Sequence, residues 1–89
     1  MASTTQLLTK DDAFLVIDES CSVALNGQMG TRNGLITPDE AYELAHRADS
    51  IELLQANGNA ELRFISKYHG TTAVYVHPDV TRDLDALLS

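Results

Sequence analysis

Three histidines (His46, His69 and His77), one cysteine (Cys21) and two carboxylate pairs (Asp11-Asp12 and Asp18-Glu19) are the side chains of this chain that could do chemistry. A zinc site needs three or four ligands converging on one ion, usually from close spacing. His69 and His77 fall at opposite ends of one expected strand, and His46 falls on the polar face of an expected helix, so the spacing does not meet that demand. Cys21 would act as a nucleophile only with a base beside it, and no histidine is near it in sequence. A lone cysteine also excludes an internal disulfide and sets a reducing cytoplasm as the expected compartment. Calcium loops require alternating oxygen ligands around a glycine turn, a pattern that neither carboxylate pair begins. No cofactor or metal is therefore expected.

Residues 27–34, Gly-Gln-Met-Gly-Thr-Arg-Asn-Gly, are glycine-rich with a single cation, Arg32. They lack the Lys-Ser/Thr ending of a phosphate-binding loop and the spacing of a dinucleotide fingerprint. They read as a turn-rich loop able to carry a contact from a rigid scaffold. Thirteen Asp and Glu against six Lys and Arg give a formal charge of −7. Nucleic-acid affinity is dominated by phosphate neutralisation, so this balance argues against general nucleic-acid binding and against anionic membranes. It suits a soluble protein, or one whose partner is basic.

The elements that would position these groups follow from local signals. Residues 1–12 are polar and Thr-rich and are expected to fray. The apolar run at 13–17 reads as a short buried strand, and 22–25 as a second one before the glycine-rich stretch. The run is too short to span a bilayer, and the start has no apolar signal-peptide core. Thr37-Pro38-Asp39-Glu40 is a capping box with proline at the first helical position. The helix it opens is expected to run to Asn57-Gly58, with Ala41, Leu44, Ala45, Ala48 and Ile51 on its buried face. On that reading Tyr42, His46, Asp49 and Leu53 form an outward stripe suited to a partner. Residues 61–69 and 71–77 read as a hairpin turning at His69-Gly70, with Phe64 opposite Tyr75 and Ile65 opposite Val74. His77-Pro78-Asp79 opens a last helix carrying Val80, Leu84, Leu87 and Leu88 on one face.

A forty-residue echo organises these elements. Gly30-Thr31, Leu35-Ile36, Pro38-Asp39 and Leu44 recur as Gly70-Thr71, Tyr75-Val76, Pro78-Asp79 and Leu84. Two β-β-α units follow from it. The stretch 71–88, Thr-Thr-Ala-Val-Tyr-Val-His-Pro-Asp-Val-Thr-Arg-Asp-Leu-Asp-Ala-Leu-Leu, also resembles the strand-Pro-helix opening of ribbon–helix–helix repressors. The resemblance covers under a quarter of the chain. It implies DNA recognition by paired strands, yet neither face of the strand carries Lys or Arg and no second helix follows.

The reading is one domain over 1–89 of the α+β class. It has a small antiparallel sheet with two helices packed on one face, in β-β-α-β-β-α order. The uncovered face would show Ile65 and Val74, which implies a homodimer. The function that fits is a non-catalytic protein-binding module, a small acidic accessory or inhibitory protein of phage or mobile-element type. Its partner-facing residues are Tyr42, His46, Asp49 and Leu53, the helix acids Asp39, Glu43, Asp79 and Asp83, and Arg32. One version has the four helix acids mimic nucleic acid. The alternatives are a DNA-binding regulator using the 61–77 hairpin, or a ligand site or enzyme built between subunits from Tyr68, His69, His77 and Cys21.

Overall fold

In the computed structural model, which describes residues 3–88, the order is β-α-β-β-α-β-β-β-α-α. The elements are β1 (Thr4–Leu8), α1 (Lys10–Val23), β2 (Met29–Thr31), β3 (Gly34–Ile36), α2 (Pro38–Arg47), β4 (Ser50–Ala56), β5 (Asn59–Ser66), β6 (Gly70–Tyr75), α3 (Pro78–Arg82) and α4 (Leu84–Leu88). The strands form one antiparallel sheet in the order β1-β4-β5-β6-β2-β3. The α+β class holds. The expected two helices are four among the described residues, and the sheet has six strands.

The largest correction lies at 13–17, which is the middle of α1 and not a strand. Its buried residues Ala13, Val16, Ile17, Ser20 and Cys21 recur at helical spacing. Thr9 caps it, its hydroxyl accepting from the Asp12 amide at 3.1 Å. Residues 22–25 close this helix and leave it, so the second expected strand is absent. Residues 4–8, expected to fray, pair with β4 from Thr4↔Gln55 to Leu8↔Ile51. The part of that expectation that falls on residues 1 and 2 lies outside the described residues.

The second correction concerns α2. The capping box forms as read: the Thr37 hydroxyl accepts from the Glu40 amide, and Glu40 accepts from the Thr37 amide. The helix stops at Arg47 rather than at Asn57-Gly58. Ser50–Ala56 is a strand, and Asn57-Gly58 is the two-residue turn joining it to β5, with φ of 55° and 78°. Two consecutive left-handed residues match the right-handed twist of the strands they join. Ile51 and Leu53 therefore face the core by strand alternation, not by helical phase.

The β5–β6 hairpin forms, but its register differs from the expected one. Phe64 pairs with Thr72 and Ile65 with Thr71, while Val74 pairs with Leu62 and Tyr75 with Glu61. The connection is three residues, 67–69, closed by Gly70 at φ 75°. Ser66 Oγ accepts from the Tyr68 and His69 amides, and Asp49 Oδ2 accepts from the Lys67 amide at 2.7 Å. These bonds fix the longer turn. The odd shift in register sends Val74 inward and leaves Tyr75 outward.

The core is one cluster. Ile51, Leu53, Leu62, Phe64, Val74 and Met29 from the sheet meet Val16, Ile17, Ala41, Ala45, Val80 and Leu84 from the helices. The alanines of α2 let that helix approach the sheet closely. The forty-residue echo survives as cap chemistry: Thr37 and His77 each cap a helix whose next residue is proline. It does not survive as two β-β-α units.

Candidate functional site

Helices α1 and α2 are joined by a ladder of four-residue steps. Lys10 Nζ donates to the His46 carbonyl at 2.8 Å. Phe14 lies 5.1 Å from the His46 ring and 5.7 Å, edge to face, from the Tyr42 ring. The Tyr42 hydroxyl donates to Asp18 Oδ1. Residues 10, 14 and 18 of one helix thus meet 46 and 42 of the other, the pattern of antiparallel neighbours whose facing residues are one turn apart. The Asp18 hydrogen bond, with burial and the Asp18 charge behind it, pushes the Tyr42 phenol up to about 12.

The expected stripe does not exist as a helical surface. Tyr42 is half-buried in this ladder, and His46, itself exposed, sets its ring at a tilt against Phe14. Asp49 caps the β5–β6 turn. Leu53 is 1 % exposed, at the centre of the core. Running the helix on to Asn57-Gly58, past its actual end at Arg47, puts Leu53 outside when it is inside.

Cys21 lies on the buried face of α1, where burial, followed by the Asp18 charge, pushes its thiol upward. That is the direction opposite to an activated nucleophile. Its chain neighbour Ser20 accepts the His77 amide at 3.3 Å, and His77 Nδ1 accepts the Asp79 amide to cap α3. Tyr68 and His69 sit in the turn before β6, and His77 follows the strand's other end. A six-residue strand spans about 20 Å, so the four residues suggested for a ligand site do not converge within one chain. Among the described residues no three His, Cys, Asp or Glu side chains are grouped to hold a metal ion. No helix there is long and apolar enough to cross a membrane.

The helix acids divide into two places. Asp39 and Glu43 lie on α2, over the Phe64–Ser66 end of β5, while Asp79 and Asp83 lie at α3, over the Ala60 end. Helix α1 contacts both helices. Glu43 holds Arg47 at 2.6 Å, and Asp79 is bound by Arg82. Arg32 is at the exposed tip of the β2–β3 turn.

Two surface features were not legible in the sequence. The first is how charge is distributed. Ten of the thirteen acids, but only three of the six Lys and Arg, lie on the helices or at the α3–α4 junction. The strands and turns hold Asp49, Glu52, Glu61, Arg32, Arg63 and Lys67, which balance. The whole charge of −7 therefore resides in the helical layer. The second is the opposite face of the sheet, which no helix covers. One row across it runs Thr5, Leu54, Glu61, Tyr75, Gly30, Leu35, and the next runs Leu7, Glu52, Arg63, Ala73. Leu7, Leu35 and Tyr75 are 72, 56 and 47 % exposed. Tyr75 lies across Gly30, where an added Cβ would stand 3.6 Å from its ring. Beside it a groove of about 430 Å³ is lined by Leu54, Ala56, Glu61 and Pro78.

In comparisons with known proteins, no family model matches this chain, and no curated protein or solved structure matches it. The strand that carries the resemblance to ribbon–helix–helix repressors, β6, is an interior strand with β5 on one side and β2 on the other. The segment after it breaks at Asp83 into two short helices, α3 and α4.

Proposed function

We propose that this chain is a non-catalytic protein-binding module whose acidic helical layer engages a basic partner. The observation that carries the reading is the segregation of charge: the helices hold the entire net charge, while the sheet and turns are neutral. A one-sided field of this kind steers encounter with a partner of opposite sign and repels partners of like sign. The buried Cys21 thiol, pushed upward by burial and by Asp18, supports binding over a cysteine nucleophile.

Nucleic-acid mimicry by Asp39, Glu43, Asp79 and Asp83 is the narrower version. Two of these acids already hold arginines of their own helices, so ordinary protein binding is the better supported form.

The test is affinity capture from nuclease-treated lysate with two baits, the natural chain and the triple variant Asp12→Lys, Asp39→Lys, Asp83→Lys. The expected result is a basic protein retained by the natural chain at low salt, reduced at higher salt and lost with the variant. Identical capture by both baits would remove the acidic layer from the function.

A further inference from the structure

We propose that the uncovered sheet face is a homodimer interface, with a second copy of this chain as its occupant. This goes beyond the acidic-layer reading and stands on a different surface.

Three observations select a second copy. The first is electrostatic. Two molecules of charge −7 repel wherever their helical layers meet, but the open sheet face carries only Glu52, Glu61 and Arg63 as charged groups, a net charge of −1. Sheets packed face to face lie about 10 Å apart. Each copy's helices then lie on the far side of its own sheet. The acidic layers are separated by several Debye lengths, each about 8 Å at physiological salt.

The second is self-complementarity. Glu52 and Arg63 are directly paired in register on β4 and β5, and Arg63 Nε also holds Glu61 at 2.8 Å. A two-fold axis in the interface, parallel to the strands and midway between β4 and β5, exchanges the positions of Glu52 and Arg63. Each arginine then meets the other copy's Glu52. The same rotation brings β1 over β6, so that exposed Leu7 covers Ala73 of the other copy. An isologous contact of this kind closes as a dimer and does not propagate.

The third is extent. With this axis β1, β4, β5 and β6 overlap their counterparts, while β2 and β3 extend past the other copy's edge. Four strands spaced about 4.8 Å apart and about 20 Å long overlap over roughly 400 Å² in plan. That places the contact at the small end of specific interfaces, whose standard size is about 800 Å² for each partner.

Sedimentation velocity of the full chain at about 50 μM, in about 0.15 M and 0.5 M NaCl, tests the proposal. The expected mass is twice 9.7 kDa at both salt concentrations, because the contact face carries only Glu52, Glu61 and Arg63 as charged groups, and each arginine is paired with glutamate. Leu54→Glu, which sets a carboxylate against Glu61 of the other copy, and Leu7→Lys should each sediment as monomers with unchanged circular dichroism. The Leu7 side chain is largely in solvent, so that variant reports on association even if Leu54→Glu fails to fold. Asp39→Lys should remain dimeric. A natural chain at 9.7 kDa, or a dimer that survives Leu7→Lys, overturns the proposal. Neither outcome bears on capture by the acidic layer.

Discussion

Thr37 and Glu40 satisfy each other's neighbouring backbone amides at the start of α2, so the helix begins where its sequence says it must. Removing such a cap typically costs about 1 kcal/mol. Thr37→Ala should lower the urea midpoint by that equivalent with an unchanged slope. Tyr42 carries a pH signature of its own. Its phenol is held neutral by Asp18 and lifted from 10.0 to about 12. A raised native value means that stability is fully present below the unfolded value and is lost as pH climbs through the native one. The stability advantage of the natural chain over Tyr42→Phe should be constant below pH 10 and shrink between pH 10 and about 12. Urea titrations of both proteins across that range check it. The Tyr42 position was legible as an aromatic on α2. Its partner was not, because Asp18 belongs to a segment read as a turn after a strand.

At the scale of elements, Leu53 separates the two descriptions of residues 50–56. As an exposed residue on a long helix it would tolerate truncation within about 0.5 kcal/mol. As a buried residue of β4 it should cost about 2–5 kcal/mol on Leu53→Ala, read by chemical denaturation. The sequence of β4, Ser-Ile-Glu-Leu-Leu-Gln-Ala, is composed mainly of helix formers, and tertiary pairing between β1 and β5 overrides that preference. Asn57-Gly58 fits both a helix end and a hairpin turn, and its dual use hid the strand. The reverse error at α1 has a matching cause. Phe14 and Leu15 interrupt its polar side with apolar residues, so Ala-Phe-Leu-Val-Ile reads as a buried strand, although Ala13, Val16, Ile17, Ser20 and Cys21 follow helical spacing. Caps and turns set by single side chains were legible: Thr37, Pro38, His77, Pro78 and the β5–β6 turn region. Register was not, because Ser66 and Asp49 bind turn amides through contacts that no local pattern encodes.

At the scale of the whole molecule, the open sheet face and the acidic helical layer are products of the same arrangement. Placing all four described helices on one side of a six-stranded sheet collects ten acids there and leaves the other side with only Glu52, Glu61 and Arg63 as charged groups among its apolar side chains. A net charge of −7 was legible from composition. Its confinement to one layer depends on which segments become helix, and the extent of α1 and the end of α2 are set by tertiary packing rather than local pattern. The four acids named as one patch are instead divided between α2 and α3, so recognition is expected to involve α1 between them. On the proposed function this helical layer is the surface a partner reads, and hydrogen–deuterium exchange of the chain, alone and with the protein it captures, reports on it directly. The expected result is added protection confined to amides of α1, α2 and the α3–α4 junction, with β4, β5 and β6 unchanged. Added protection on the sheet strands, with none in the helices, would contradict it.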